Sequence, residues 1–143
     1  MNVYAISDLH LSINNPKPMN IFGEVWDNYL DSIRESLVEA EDDDIILLAG
    51  DLSWAMTLDA AAPDLEFVSG LCRGRKVIIR GNHDYWWSGI TALRAALPVN
   101  MYAVQNDFVR LDDIVVCGSR GWGADDNIVQ SYEVVLNGVH VYG

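Results

Sequence analysis

Three runs of almost uninterrupted apolar residues constrain this chain most: Val3-Tyr4-Ala5-Ile6, Ile45-Ile46-Leu47-Leu48 and Val77-Ile78-Ile79. A strand with one wet face alternates apolar and polar residues, whereas a continuous run suits a strand covered on both faces. The strands predicted are Asn2–Ser7, Asp44–Gly50 and Lys76–Arg80. Between them the spacing becomes helical. From Glu24 to Ala40, the residues Val25, Trp26, Tyr29, Leu30, Ile33, Leu37 and Val38 recur on one helix face, so a Trp26/Tyr29/Ile33 stripe is expected in the core. A second helix is expected over about Ala61–Cys72, stopping near Gly74, and a third from a Ser88 cap to about Ala96, before Pro98. The order β-α-β-α-β-α implies a parallel sheet with right-handed crossovers, and ligands of such sheets bind beyond the carboxyl ends of the strands.

The second half reads as strand-rich, with Met101–Val104, Phe108–Leu111, Ile114–Cys117, Tyr132–Leu136 and Val139–Tyr142, the last two joined by an Asn137-Gly138 hairpin turn. Leu11–Asn20, with Pro16 and Pro18, reads as a loop, and the acidic run of Glu39 and Glu41–Asp44 as a solvated turn. At 143 residues the chain has room for one domain over 1–143 with a core that needs no disulfide. Its 50% hydrophobic content excludes a disordered chain, and no apolar run approaches a membrane span. The start, MNVYAISDLH, has no basic segment or cleavage site of a secretory signal. Cys72 and Cys117, without CxxC spacing, are expected as reduced core thiols of a cytoplasmic protein, a disulfide being the alternative. The formal charge of -12 argues against a nucleic-acid-binding patch, though not against phosphate chemistry, because bound divalent cations reverse the local sign.

Each buried strand is followed by metal-ligand chemistry: Asp8-Leu9-His10, then Gly50-Asp51, then Gly81-Asn82-His83-Asp84. A parallel sheet brings all three to one edge. In an extended segment Asp8 and His10 point the same way, so one ion can take both. The carboxylate of Asp51 can bridge two ions, and Gly50 and Gly81 permit close backbone approach or positive φ. Carboxylate, imidazole and amide donors together suit Mn, Fe or Zn better than Ca.

On these residues the chain resembles the calcineurin-like metallophosphoesterase family, whose leading pattern is Asp-x-His, Gly-Asp and Gly-Asn-His-Asp/Glu, each behind a strand. The resemblance covers Met1 to Trp122, including the turn Gly118-Ser119-Arg120-Gly121-Trp122. It implies an α/β fold, a β-sandwich flanked by helices in α/β/β/α layers. It also implies a phosphoesterase with two divalent metal ions acting on a small phosphate-ester substrate. By matching motif, Asp8 and His10 are implied as ligands of the first ion, Asp51 as the bridge and Asn82 as a ligand of the second. His83 is implied as the histidine over the substrate and Asp84 as the carboxylate that orients it. Two cations ~3.5–4 Å apart can hold phosphoryl oxygens and turn a bridging water into a hydroxide nucleophile.

The chain also departs from the family, whose second half supplies three more histidines. After His10 and His83 only His140 remains, in a strand that looks like the approach to a Gly-His-x-His motif. The expectation is a shortened or internally deleted member with an incomplete second half and a weaker second ion site. The alternative function is a catalytically impaired remnant that acts as a metal-binding or protein-interaction module. An unpaired sheet edge predicts self-association. A doubly wound nucleotide-binding domain is disfavoured, since neither GxGxxG nor GxxxxGK[ST] follows a strand. Trp86-Trp87 fits either a cleft wall or core packing, and Arg120 either a phosphate contact or, preferably, a pair with an acid.

Overall fold

The computed structural model describes residues 1–14, 17 and 19–120, with the strand backbones 132–136 and 139–142. Strands β1 (Val3–Ile6), β2 (Ile45–Leu48), β3 (Arg75–Ile78) and β4 (Met101–Ala103) form a parallel sheet in the order β1-β2-β3-β4. The helices are α1 (Tyr29–Leu37), α2 (Leu58–Gly70) and α3 (Ile90–Ala96). Strands β5 (Asp107–Leu111), β6 (Ile114–Gly118), β7 (Tyr132–Leu136) and β8 (Val139–Tyr142) form an antiparallel sheet in sequence order. The Asn137-Gly138 turn lies outside the described residues, but β7 and β8 pair in the register that it requires, Leu136 opposite Val139.

The continuous apolar runs of β2 and β3 have a direct physical reason, whereas β1, expected to be covered on both faces, is only half-buried, with Ala5 exposed. Ile46, Leu48 and Ile78 join one core with Leu37, Ala61, Leu65, Val68 and Leu93 from the three helices. Their sequence neighbours Ile45, Leu47, Val77 and Ile79 join a second core with Leu111, Ile114 and Val116 of the antiparallel sheet. Alternate residues thus point to opposite faces and both faces are covered, each fully buried aliphatic side chain contributing about 1.5–3 kcal/mol. The layers are helices, parallel sheet, antiparallel sheet. Among the described residues no helix covers the outer face of the antiparallel sheet.

Several boundaries differ from the sequence expectation. The long helix from Glu24 begins instead at Tyr29, after a single 3-10 turn over Glu24–Trp26. Asn28, with φ 57°, interrupts the helical path between them. Val25 is therefore exposed, and Trp26 and Tyr29 pack ring to ring at 5.3 Å as a half-buried wall rather than a core stripe. Helix α2 starts earlier than expected because the Thr57 hydroxyl accepts the Ala60 N–H as an N-cap. It ends at Gly70, where the ammonium of buried Lys76 on β3 donates to the carbonyls of Ser69 and Cys72. Burial pushes the Lys76 pKa down. Helix α3 is preceded by Gly89, not capped by Ser88. Asp44, expected in a solvated turn, is buried and accepts the N–H groups of Asn2 and Glu41. Cys72 and Cys117 are free and half-buried. No helix among the described residues is long and apolar enough to cross a membrane.

Two glycines bring the strand ends together. A Cβ on Gly50, where φ is +92°, would lie 2.7 Å from the Gly81 Cα. One on Gly81 would lie 2.1 Å from Asp51 Oδ1 and 2.2 Å from the Asp51 nitrogen. Neither space can be made by moving a flexible side chain. Gly81→Ala is therefore expected to cost at least about 1–3 kcal/mol in urea unfolding, the scale of an overpacked core. Gly89→Ala, where a Cβ meets nothing within 4 Å, is the near-neutral control.

Candidate active site

Beyond their last ladder pairs, β1 and β2 remain zipped. Asp8 N–H donates to Gly50 O (3.1 Å), His10 N–H to Asp51 O (3.0 Å) and Leu11 N–H to Leu52 O (2.9 Å). The Trp54 N–H returns to Leu11 O at 2.9 Å, and Leu11 and Ser53 form a parallel bridge. Along this zipper three non-glycine residues hold left-handed backbone: Asp8 (φ 58°), His10 (φ 45°) and Asp51 (φ 52°). Such residues each cost about 1–3 kcal/mol and persist only where surrounding contacts impose them.

The result is one compact donor set. Ligand atoms of Asp8, His10 and Asp51 all lie within 4.8 Å of one another. His10 Nε2 is 3.6 Å from Asp8 Oδ1 and 3.9 Å from Asp51 Oδ2, too far for hydrogen bonds and close enough to share a cation. Asp8 is largely open to solvent while Asp51 is buried. Two carboxylates and an imidazole with no hydrogen bond among them are a donor set that fits a divalent cation.

The third turn is bound to this set by a reciprocal exchange. The Asp51 carboxylate accepts the His83 N–H at 2.8 Å. The Asp84 carboxylate, only 1% exposed, accepts the N–H groups of Asp51 (2.9 Å), Leu52 (2.9 Å), Ser53 (3.2 Å) and Gly81 (2.8 Å), and the Trp86 indole at 2.9 Å. Burial pushes the Asp84 carboxyl above the usual range, while the N–H donors of Gly81, Ser53 and Trp86 pull against it. Asn82, between Gly81 and His83, is exposed at the same edge.

The hydrogen bonds of the Asp84 carboxylate go to two backbone turns and an indole. Among the described residues, His83 Nδ1 is buried with no hydrogen-bond partner, and so is His10 Nδ1. Both imidazoles instead pack on Trp54, a residue outside every motif singled out in the sequence. Ring centroids are 4.6 Å apart for His10–Trp54 and 4.9 Å for Trp54–His83. The Lys17 ammonium lies 3.6 Å from the Trp54 ring centroid. Nothing local in the sequence marks Trp54, because its position follows from the long-range pairing with Leu11.

The remaining candidates lie apart from the Asp8–His10–Asp51 group or outside the described residues. Trp86 and Trp87 are buried in the helix-side core, their indoles donating to Asp84 and Gln105. Burial, and then the neighbouring charge of Arg80, lowers the pKa of the Arg120 guanidinium. His140 lies on β8 opposite Val135, with its side chain outside the described residues. An open cleft of about 350 Å³ starts at Asp8 and is walled by Ile6, Val25, Trp26, Tyr29 and Ile33.

If Asp84 fastens the two turns, Asp84→Ala strands buried backbone donors. The expected loss is roughly 3–5 kcal/mol in chemical denaturation, the range for breaking a buried hydrogen-bond network. A variant of unchanged stability would contradict this assignment.

No curated protein matches the chain. A solved structure, that of AQ665, a protein of unknown function from Aquifex aeolicus, is similar at 23% identity with a TM-score of 0.48 over 89% of this chain. The chain spans 63% of the length of that structure. The sequence profile of calcineurin-like phosphoesterases matches residues 1–139, nearly the whole length, and the chain belongs to that family.

Proposed function

We propose that residues 1–143 act as one domain that hydrolyses a phosphate ester with divalent cations. The observation that carries this reading is the convergence of Asp8, His10 and Asp51, with Asn82 and His83 on the turn tied to Asp51. Asp8, His10 and Asp51 would hold the first ion, and Asp51 and Asn82 the second, with manganese the first choice to try. When bound, such ions draw electron density from phosphoryl oxygens and lower the pKa of coordinated water. His83 lies against His10, with ring centroids 5.7 Å apart, and its imidazole can donate a proton to the leaving oxygen or offset charge in the transition state. Asp84 holds the backbone that carries His83, and the cleft beside Asp8 offers an apolar wall to the organic part of the ester. No side chain is needed as nucleophile.

A second reading is a one-ion binding module without turnover. The observation that favours it is that Asp8–His10–Asp51 is the one such cluster of His, Cys, Asp and Glu among the described residues. Metal stoichiometry beside hydrolysis of bis(p-nitrophenyl) phosphate separates the two. Two equivalents of Mn²⁺, with turnover abolished by Asp51→Asn and reduced ~10²–10³-fold by His83→Ala, supports the esterase. One equivalent without turnover supports the module, and no metal uptake removes both.

The cytoplasm is the proposed compartment, since the two cysteines are free thiols. Self-association through an outer strand of either sheet is also proposed. Size-exclusion mass measurement should give a dimer, and a clean monomer would count against it.

A further inference from the structure

The geometry points to Trp54 as the positioning residue that fixes the angle of both site imidazoles, His10 and His83. This inference rests on the metal-site reading above. A metal-bound histidine is ordinarily held by a hydrogen bond from its second ring nitrogen to a carboxylate or carbonyl. In this site Nε2 of His10 faces the two carboxylates, and Nδ1, the nitrogen left for that task, is buried with no partner among the described residues. His83 Nδ1 is in the same condition, and the nearby carboxylate of Asp84 is engaged elsewhere. Among the described residues, neither ring has a hydrogen bond from Nδ1 to set its rotation.

Ring contact takes over. The His10 imidazole stacks on the Trp54 indole with planes 23° apart, and His83 leans on the same indole at 60°. The indole is itself immobilised on several sides. Its Nε1–H points to Met19 Sδ at 3.3 Å, the Lys17 ammonium covers the ring, and the Trp54 N–H is paired with Leu11 O. Tyr85 closes the other approach to His83, ring to ring at 6.3 Å. An aromatic pair of this kind fixes the plane of a ring without a hydrogen bond. A flat face matters here, and volume alone does not replace it.

The test compares Trp54→Phe, which keeps a ring face, with Trp54→Leu, which keeps apolar bulk. In metal-free protein, the His10 and His83 ring protons should be shifted upfield by the indole and return towards unstructured values in Trp54→Leu. Wild-type ring protons at unstructured values, or ones that Trp54→Leu leaves in place, overturn the inference. In Mn²⁺ titration calorimetry, Trp54→Leu should bind ~10–100-fold more weakly, the usual loss for an orienting neighbour of a metal ligand, and Trp54→Phe should keep most of the affinity. Wild-type affinity in Trp54→Leu, or equal weakening by both substitutions, also overturns it. A wild-type protein that takes up no Mn²⁺ removes the metal reading alone, because the ring-proton shifts still decide the role of Trp54. Should Trp54→Leu not fold, upfield shifts in the wild type that persist in Trp54→Phe support the inference, and their absence overturns it.

Discussion

The whole edge of this molecule depends on two carboxylates that exchange backbone hydrogen bonds across a gap too narrow for a side chain. Asp84 gathers the N–H groups of Asp51, Leu52, Ser53 and Gly81, and Asp51 answers by taking that of His83. Gly50 and Gly81 meet at that seam because nothing larger fits. Buried charge is costly unless it is fully hydrogen-bonded, and Asp84 meets that condition with five donors. The strand ends therefore form a single unit, and the ligand side chains inherit its rigidity.

Much of this was legible in the sequence for a simple reason: the chemistry is adjacent to the strands that place it. A residue within a few positions of a strand end has little freedom, so Asp8, His10, Asp51 and His83 could be assigned to one edge from the parallel order alone. The glycines were legible too, since only close approach or positive φ gives Gly50 and Gly81 a purpose there. The apolar runs announced a sheet covered twice, and the two cores on opposite faces of β2 and β3 are its realisation.

What escaped the sequence depends on contacts between distant segments. Trp54 reaches the imidazoles because its backbone is paired with Leu11, a relation that no local pattern records. The left-handed Asn28 cuts a segment whose apolar spacing reads as one helix, since periodicity senses faces and not breaks. Asp44 looks like a surface acid in its acidic run and is buried by the N–H groups that converge on it. Met101–Ala103 continues the parallel sheet rather than opening the antiparallel one, because α3 carries the chain back across the sheet first.

The left-handed turns at Asp8, His10 and Asp51 have a thermodynamic consequence. Their backbone is imposed by hydrogen bonds that exist without any ion, so the work of bending the loop is done when the protein folds. A cation taken up by this candidate group would find the backbone of its seat already shaped. The negative charge of Asp8 and Asp51 is what would attract it.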